Sequence, residues 1–187
     1  MRMNKPSRFL ALLRGINVGG NNIIKMADLK ACFETMGFAN VSTYIQSGNV
    51  IFSSEEVDTI ALEERIEKVL SETFSYKSRV VVISHQQLKA VVEQTPEDFG
   101  KYPETHKYDV VFLKQPLNAE NAFAQIVARK EVDFVYAQNG VIYFSRTISN
   151  LSKSYLSKII ALPIYQFMTI RNWNTTSKLL VLMDKDT

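Results

Sequence analysis

The sequence is poor in the residues that bind metals or cross-link chains. Cysteine occurs once, at Cys32, so no internal disulfide bond or cysteine metal cluster can form. Histidine occurs twice, at His85 and His106, away from the basic parts of the chain. No catalytic triad, histidine cluster or carboxylate pair stands at a diagnostic spacing. The sequence therefore predicts no metal site, and it assigns neither a cofactor nor a catalytic residue.

Long apolar runs are also absent. No stretch approaches the roughly 20 apolar residues that a membrane-spanning helix requires. The five apolar residues from Phe9 to Leu13 are too few for the core of a signal peptide, and Arg14 follows them. Hydrophobic residues make up 46% of the 187-residue chain and charged residues 22%, as in soluble globular proteins. We therefore expect a cytoplasmic protein without a membrane partner.

Acidic residues are missing from two segments, residues 1–27 and residues 134–183. Each segment carries five basic residues, and all 19 acidic residues lie elsewhere in the chain. The basic residues are Arg2, Lys5, Arg8, Arg14 and Lys25 in the first segment and Arg146, Lys153, Lys158, Arg171 and Lys178 in the second. This pattern is typical either of a shared positive surface or of two separate solvated faces.

Hydrophobic periodicity predicts the order β-α-β-β-α-β in the first part of the chain. The predicted elements are a strand at Ser7–Leu13, a helix at Met26–Met36 ended by Gly37, strands at Val41–Ile45 and Asn49–Ser53, a helix at Asp58–Phe74 and a strand at Arg79–Ile83. Ser84 and Gln87 then form a capping-box pattern at the start of a short connecting helix.

The same order is predicted a second time. The elements are a strand at Asp109–Leu113, a helix at Asn118–Lys130 with Phe123, Ile126 and Val127 inward, strands at Asp133–Ala137 and Val141–Ser145, a helix at Ser152–Leu162 with Leu156, Ile159 and Ile160 inward, a strand at Gln166–Ile170 and a C-terminal helix through Met183. Between the two middle strands, Asn139-Gly140 is a strong hairpin signal.

The repeated order predicts an α+β fold, a tandem of two ferredoxin-like (βαββαβ) units with antiparallel sheets and a C-terminal helix. The two hairpins are also alike, with YIQSGNVIF at Tyr44–Phe52 and YAQNGVIYF at Tyr136–Phe144. We expect the first unit at residues 1–84, a connecting helix and polar loop at residues 85–107, and the second unit with the C-terminal helix at residues 108–187.

The stretch RGINVGGNN, Arg14–Asn22, lies between a predicted strand and a predicted helix. Glycines let backbone N–H groups approach an anion, and a helix N-terminus adds positive potential. The spacing matches neither dinucleotide-binding nor P-loop fingerprints, so an ordered turn with glycines at positive φ is the alternative. The candidate ligand-binding residues here are Arg14, Asn17, Gly19, Gly20 and Lys25, joined by Gln46, Ser47 and Asn49 if the first hairpin folds toward the loop.

A second candidate is TIRNWNTTSKL, Thr169–Leu179, which also lies between a strand and a helix. Arg171 suits bidentate contact with a phosphate, and Trp173 suits stacking on a base or anchoring a core. Asn174 or Thr175 is expected to cap the last helix. The candidate ligand-binding residues are Arg171, Asn172, Trp173, Asn174 and Lys178, together with Ser152 and Lys153 from the hydroxyl-rich stretch Ser145–Lys158.

The stretch LLRGINVGGNNIIKMADLKACFETMGFANVSTYIQSGNVIFSS, Leu12–Ser54, closely resembles the opening of a bacterial family known as domain of unknown function 1697. The stretches ISNLSKSYLSKII and TIRNWNTTSKL are similar to its other two signatures. The resemblance implies a cytoplasmic bacterial protein with an α+β, ferredoxin-like arrangement. It implies no activity, cofactor or catalytic residue.

We expect a cytoplasmic binding protein for an anionic phosphorylated ligand, a nucleotide or a nucleic acid, at a composite basic site formed by these motifs. One alternative is an enzyme that acts on a phosphate-bearing small molecule and uses the same arginines for electrostatic stabilisation. The other is a protein-interaction module in which the motif residues are structural.

Overall fold

The computed structural model describes residues 6–185 and divides the chain into two compact units. Unit 1 comprises the residues up to Leu88 together with those from Met183 onward, and unit 2 comprises Lys89–Leu182. Each unit contains a four-stranded antiparallel sheet. The protein is therefore α+β, with two such sheets and a C-terminal helix.

Unit 1 follows the predicted order. Its elements are β1 (Ser7–Leu13), α1 (Met26–Thr35), β2 (Ala39–Tyr44), β3 (Asn49–Ser54), α2 (Thr59–Phe74) and β4 (Val80–Ser84). The strands pair in the order β2-β3-β1-β4. Gly37 follows α1 at φ +81°, and the Asp58 carboxylate caps α2 by accepting from the backbone N–H of Ile60 at 2.9 Å.

The core of unit 1 lies between its sheet and its two helices. Phe9 and Leu13 of β1 pack there against Leu29 and Phe33 of α1 and against α2. Leu10, on the alternate face of β1, is also fully buried, so this strand is covered on both faces. Cys32 is buried in the same core, and this burial raises the pKa of its thiol.

Unit 2 repeats the strand order as β6-β7-β5-β8. Helix α3 (His85–Glu93) crosses the division between the units, and the elements that follow are β5 (His106–Leu113), α4 (Ala119–Phe123), β6 (Asp133–Gln138), β7 (Val141–Thr147), β8 (Met168–Asn172) and α5 (Trp173–Asp184). Asn139 and Gly140 both have positive φ in the β6–β7 turn, as the hairpin prediction requires. The Ser84–Gln87 capping box is also confirmed, with hydrogen bonds in both directions.

The helix predicted at Asn118–Lys130 begins where expected, with Asn118 as its N-cap, but its predicted extent is wrong, because α4 ends at Phe123. After Phe123, the backbone N–H groups of Gln125 and Ile126 bond to carbonyls three residues earlier, as in a 3-10 turn. Further along, the Asp133 carboxylate accepts from the backbone N–H of Arg129 at 2.8 Å. This local side-chain bond satisfies the Arg129 N–H outside any helical ladder. Phe123 and Val127 were expected to face inward, but they are 47% and 69% exposed.

The prediction of a helix at Ser152–Leu162 is also wrong. Three 3-10 segments occupy this region, at Ile148–Lys153, Leu156–Ala161 and Pro163–Phe167. Ser154 has extended backbone angles, and its hydroxyl accepts from the backbone N–H of Leu156 at 3.1 Å. Such a local bond competes with the helical ladder. Leu156 and Ile159 are buried as predicted, but Ile160 is 64% exposed.

The core of unit 2 lies on the side of its sheet that carries the 3-10 segments. Val111, Ile142, Phe144 and Met168 form it together with buried residues of those segments. On the opposite face, the hydroxyl of Tyr143 donates to the carbonyl of Val91 in α3 at 2.9 Å. No helix in residues 6–185 combines the length and apolar character needed to cross a membrane.

Candidate functional site

Residues 14–25, here called the glycine loop, are held in place mainly by Asn17. Its side-chain amide nitrogen donates to the carbonyls of Ile24 at 3.0 Å and Gln46 at 2.9 Å. Its amide oxygen accepts from the backbone N–H of Ile24 at 2.8 Å. Asn17 was predicted to contact a ligand, and the structure uses its side chain to join the loop to the β2–β3 hairpin.

The outer part of the glycine loop is a small hairpin. Val18 and Asn21 form a β-bridge, and Gly19 and Gly20 between them have φ values of +58° and +78°. Both glycines are exposed, so their backbone can be approached from solvent. The Asn22 side chain donates to the carbonyl of Gly15 at 2.9 Å and steadies the base of the hairpin.

Asn22 is a residue whose role the sequence interpretation missed. It lies at φ +46°, a conformation in which asparagine is enriched among non-glycine residues. The pair of asparagines after two glycines was therefore the available signal for a tight turn at this point.

The turn between β2 and β3 does fold toward the glycine loop. The backbone N–H of Leu13 donates to the carbonyl of Gly48 at 2.8 Å. A Cβ atom on Gly48 would lie 2.7 Å from the Cδ1 atom of Ile16, so only glycine fits there without a shift. Within unit 1 the structure thus brings the predicted residues Gln46 and Ser47 beside the loop.

The predicted residues of this turn differ in accessibility. Asn49 is fully buried, and its amide donates to the carbonyl of Tyr44 and to the hydroxyl of Ser47, each at 2.9 Å. This arrangement gives Asn49 a structural role. The Ser47 side chain is half-buried, whereas Gln46 is exposed.

Two cationic side chains mark the ends of the glycine loop. Arg14 is half-buried and follows β1, and its backbone N–H donates to the carbonyl of Arg79 at 2.9 Å. Lys25 is exposed and stands immediately before α1. No side chain caps the N-terminus of α1, whose first turn includes Asp28. The exposed helix end therefore presents backbone N–H groups next to a lysine.

Arg171 occupies a different setting in unit 2. It lies in β8 opposite Val110, only 9% exposed, and its guanidinium donates to the carbonyl of Ile170 at 2.9 Å. Burial lowers the pKa of Arg171 to about 10, so the group stays charged at neutral pH. A buried charge of this kind suits a structural role better than contact with a dissolved ligand.

Trp173 packs within unit 2. Its ring meets Phe99 edge to face, with centroids 5.2 Å apart, and a Cβ atom on Gly100 would lie 2.6 Å from the indole nitrogen. The side chain is half-buried, and its contacts are those of a residue that anchors the core of unit 2, the alternative to stacking on a base.

The remaining predicted residues of unit 2 lie mostly on its surface. Asn172 caps α5, because its side-chain oxygen accepts from the backbone N–H of Thr175 at 2.7 Å. The expectation that Asn174 or Thr175 would cap this helix is wrong. Asn172, Asn174 and Lys178 are exposed along the start of α5, and Ser152 and Lys153 are exposed in the first 3-10 segment.

Among residues 6–185 there is no group of three or more His, Cys, Asp or Glu side chains placed to hold a metal ion. The clearest group of polar residues around one feature is in unit 1, where the glycine loop, the turn after β2 and the start of α1 are held together by hydrogen bonds.

A solved structure closely matches this fold. The conserved bacterial protein SP0830 from Streptococcus pneumoniae superposes with a TM-score of 0.80 and is 26% identical in sequence, and the match covers 94% of this chain and 98% of that one. No curated protein matches the sequence. The family described as "Protein of unknown function (DUF1697)" matches residues 7–143, which confirms the resemblance seen in the motifs. The chain therefore belongs to the DUF1697 family.

Proposed function

We propose that the protein binds an anionic, phosphorylated ligand, a nucleotide or a nucleic acid segment, through the glycine loop of unit 1. One observation carries the proposal: exposed Lys25 stands beside the uncapped N-terminus of α1, at the end of an ordered and exposed loop. Residues 1–27 contain no acid, and the first turn of α1 carries one, Asp28. Gly19 and Gly20 supply backbone without side chains at the tip.

The physical basis is the sum of several modest attractions. An uncapped helix end gives an anion about 0.3 to 1 kcal/mol at an exposed site, and a lysine adds a charge-assisted hydrogen bond. Hydrogen bonds already hold the loop, so little ordering entropy is lost on binding. We therefore expect binding that weakens strongly as salt is added.

The fold of unit 1 leaves its sheet face unsuited to ligand contact. We infer that both units are ferredoxin-like, because each places its strands in the same βαββαβ-type order. In RNA-binding domains of this topology, bases stack on an open sheet face. Leu10, Leu12 and Ile51, on the sheet face away from α1 and α2, are at most 1% exposed, so this face is not open.

Arg171 and Trp173 have supporting roles in this proposal. Their burial and packing fix β8 and the start of α5, and exposed Asn174 and Lys178 remain candidates for contact. A bacterial cytoplasmic setting is part of the proposal, supported by the bacterial relative and by the single buried thiol, Cys32.

The test is a titration of the full chain with ATP and with short single-stranded RNA and DNA, followed by NMR amide shifts, at about 50 and about 200 mM salt. We expect shifts confined to the glycine loop and the start of α1, with weaker binding at the higher salt. Lys25→Glu should abolish them, and Lys68→Glu, an exposed substitution on α2, is the matched control. Shifts elsewhere, or equal effects of the two substitutions, would refute the proposal.

A further inference from the structure

Unit 2 contains an apolar cavity of about 410 Å³ whose lining includes none of the predicted ligand-binding residues. Its walls come from Ile126 and Val127, which follow α4, and from Leu156, Ile159 and Leu162 in and after the second 3-10 segment. Small-molecule pockets span roughly 300 to 1,000 Å³ and are mainly apolar with a few polar groups. The cavity is therefore of a size and chemistry that suit a small ligand.

The cavity lies between the two parts of unit 2 where the helix predictions differ from the fold. Helix α4 ends at Phe123, and 3-10 segments replace the other expected helix. Leu156 and Ile159 belong to the core of unit 2, which gives the cavity a packed floor. Val127 lines the cavity and is 69% exposed, so a bound ligand would shield its apolar surface from water.

One cation lines this apolar space. The Nζ atom of Lys158 lies 4.0 Å from the ring centroid of Tyr155, and the guanidinium carbon of Arg129 lies 5.4 Å from the same centroid. In the part of the chain that the structure describes, no carboxylate comes within ion-pair distance of Lys158. Residues 134–183 contain no acid at all. The Asp133 carboxylate lies near this group, because it accepts from the backbone N–H groups of Arg129 and Tyr155 at 2.8 Å each. The cavity therefore combines an apolar interior with a lysine that forms no ion pair among residues 6–185.

We propose that this cavity binds an amphipathic carboxylate, an alkyl chain of medium length that ends in one negative charge. The chain would lie among Ile126, Leu156 and Ile159, where it displaces water from apolar surface. The carboxylate would accept a charge-assisted hydrogen bond from Lys158 and gain from the nearby Arg129. The ligand class follows from this pairing, because a phosphate without a tail would leave the cavity empty and a cationic amphiphile would be repelled.

This site is separate from the glycine loop and does not depend on the proposed phosphate contact. Its test is an NMR amide-shift titration of the full chain with octanoate, with octanol, octyltrimethylammonium and acetate as comparison ligands. Octanoate should shift residues 125–127 and 155–162 with one dissociation constant. Octanol should bind more weakly at the same place, and octyltrimethylammonium and acetate should leave these residues unchanged.

Two substitutions separate the charge from the apolar cavity. Lys158→Gln should weaken octanoate about tenfold and leave octanol unchanged, since it removes one charge-assisted hydrogen bond. Lys130 is an exposed lysine outside the cavity lining, so Lys130→Gln should change the affinity for neither octanoate nor octanol. Val127→Asp should weaken both ligands, and its exposed position makes it compatible with folding.

Three results would overturn the proposal. In the first, octyltrimethylammonium binds as tightly as octanoate. In the second, Lys158→Gln and Lys130→Gln change the affinity for octanoate equally. In the third, octanoate shifts amide signals of residues scattered through both units. The last result would mean non-specific association of the alkyl chain. Because the lysine substitutions are on the surface, loss of folding does not obscure the comparison.

Discussion

Removal of the Asn17 side chain should loosen the glycine loop more than any other single truncation within it. Asn17→Ala deletes three hydrogen bonds, two to Ile24 and one to the carbonyl of Gln46. It also forces alanine into the left-handed region, since Asn17 has φ +54°. Asn22→Ala is the matched comparison, because Asn22 has φ +46° and makes one side-chain hydrogen bond, to Gly15.

The magnitude follows from the difference between the two substitutions. A hydrogen bond contributes about 1 kcal/mol net, and solvent replaces part of that at exposed positions. The conformational cost of a left-handed alanine, about 1 to 2 kcal/mol, is common to both and cancels. Two additional lost bonds should therefore make Asn17→Ala about 1 to 2 kcal/mol more destabilising than Asn22→Ala.

The assay is urea unfolding followed through NMR signals of unit 1, because two compact units need not unfold in one step. The free energy of unfolding should fall in the order wild type, Asn22→Ala, Asn17→Ala. Equal losses for the two substitutions would refute the reasoning, since the structure gives Asn17 three bonds and Asn22 one.

Two further substitutions, Gly48→Ala and Cys32→Ala, test the packing of unit 1. Gly48→Ala should lower its free energy of unfolding by about 1 to 3 kcal/mol in the same urea assay, because the added Cβ atom would lie 2.7 Å from Ile16 and φ is +77°. A loss below about 0.5 kcal/mol would contradict this close contact. The raised pKa of buried Cys32 favours the neutral thiol in the folded state, so its contribution to stability is present below the ordinary pKa of 9.0 and is lost as pH rises beyond it. Cys32→Ala should therefore flatten the decline of stability as pH rises above about 9, and an unchanged decline would contradict it.

The elements of unit 1 could be predicted because local signals and tertiary packing agree there. The glycine predicted to end α1 and the helix predicted at Asp58–Phe74 both agree with the elements that form. In unit 2, the apolar spacing around Phe123 indicated a helix longer than α4, and the spacing around Ile160 indicated a helix where 3-10 segments form. In these regions the Asp133 carboxylate accepts from the backbone N–H groups of Arg129 and Tyr155, and the Ser154 hydroxyl accepts from that of Leu156. The bond from Tyr155 to Asp133 joins residues distant along the chain, which local sequence signals do not reveal.

The position of the candidate site could be predicted better than the role of each residue in it. The combination of glycines and basic residues correctly located an ordered loop between β1 and α1. The structural roles of Asn17 and Asn49 depend on contacts with the β2–β3 hairpin, and the burial of Arg171 depends on tertiary packing. Side chains of these types occur equally in ligand contacts and in loop hydrogen bonds, so residue type alone does not separate the two roles.

The central claim is that the exposed end of the glycine loop contacts a phosphorylated ligand. The most direct measurement is the affinity of the full chain for ATP and short single-stranded nucleic acid, compared between Lys25→Glu and Lys68→Glu. The account predicts a loss of about tenfold or more for Lys25→Glu, with little change for the α2 control. No binding by the wild type, or equal losses for the two variants, would contradict it.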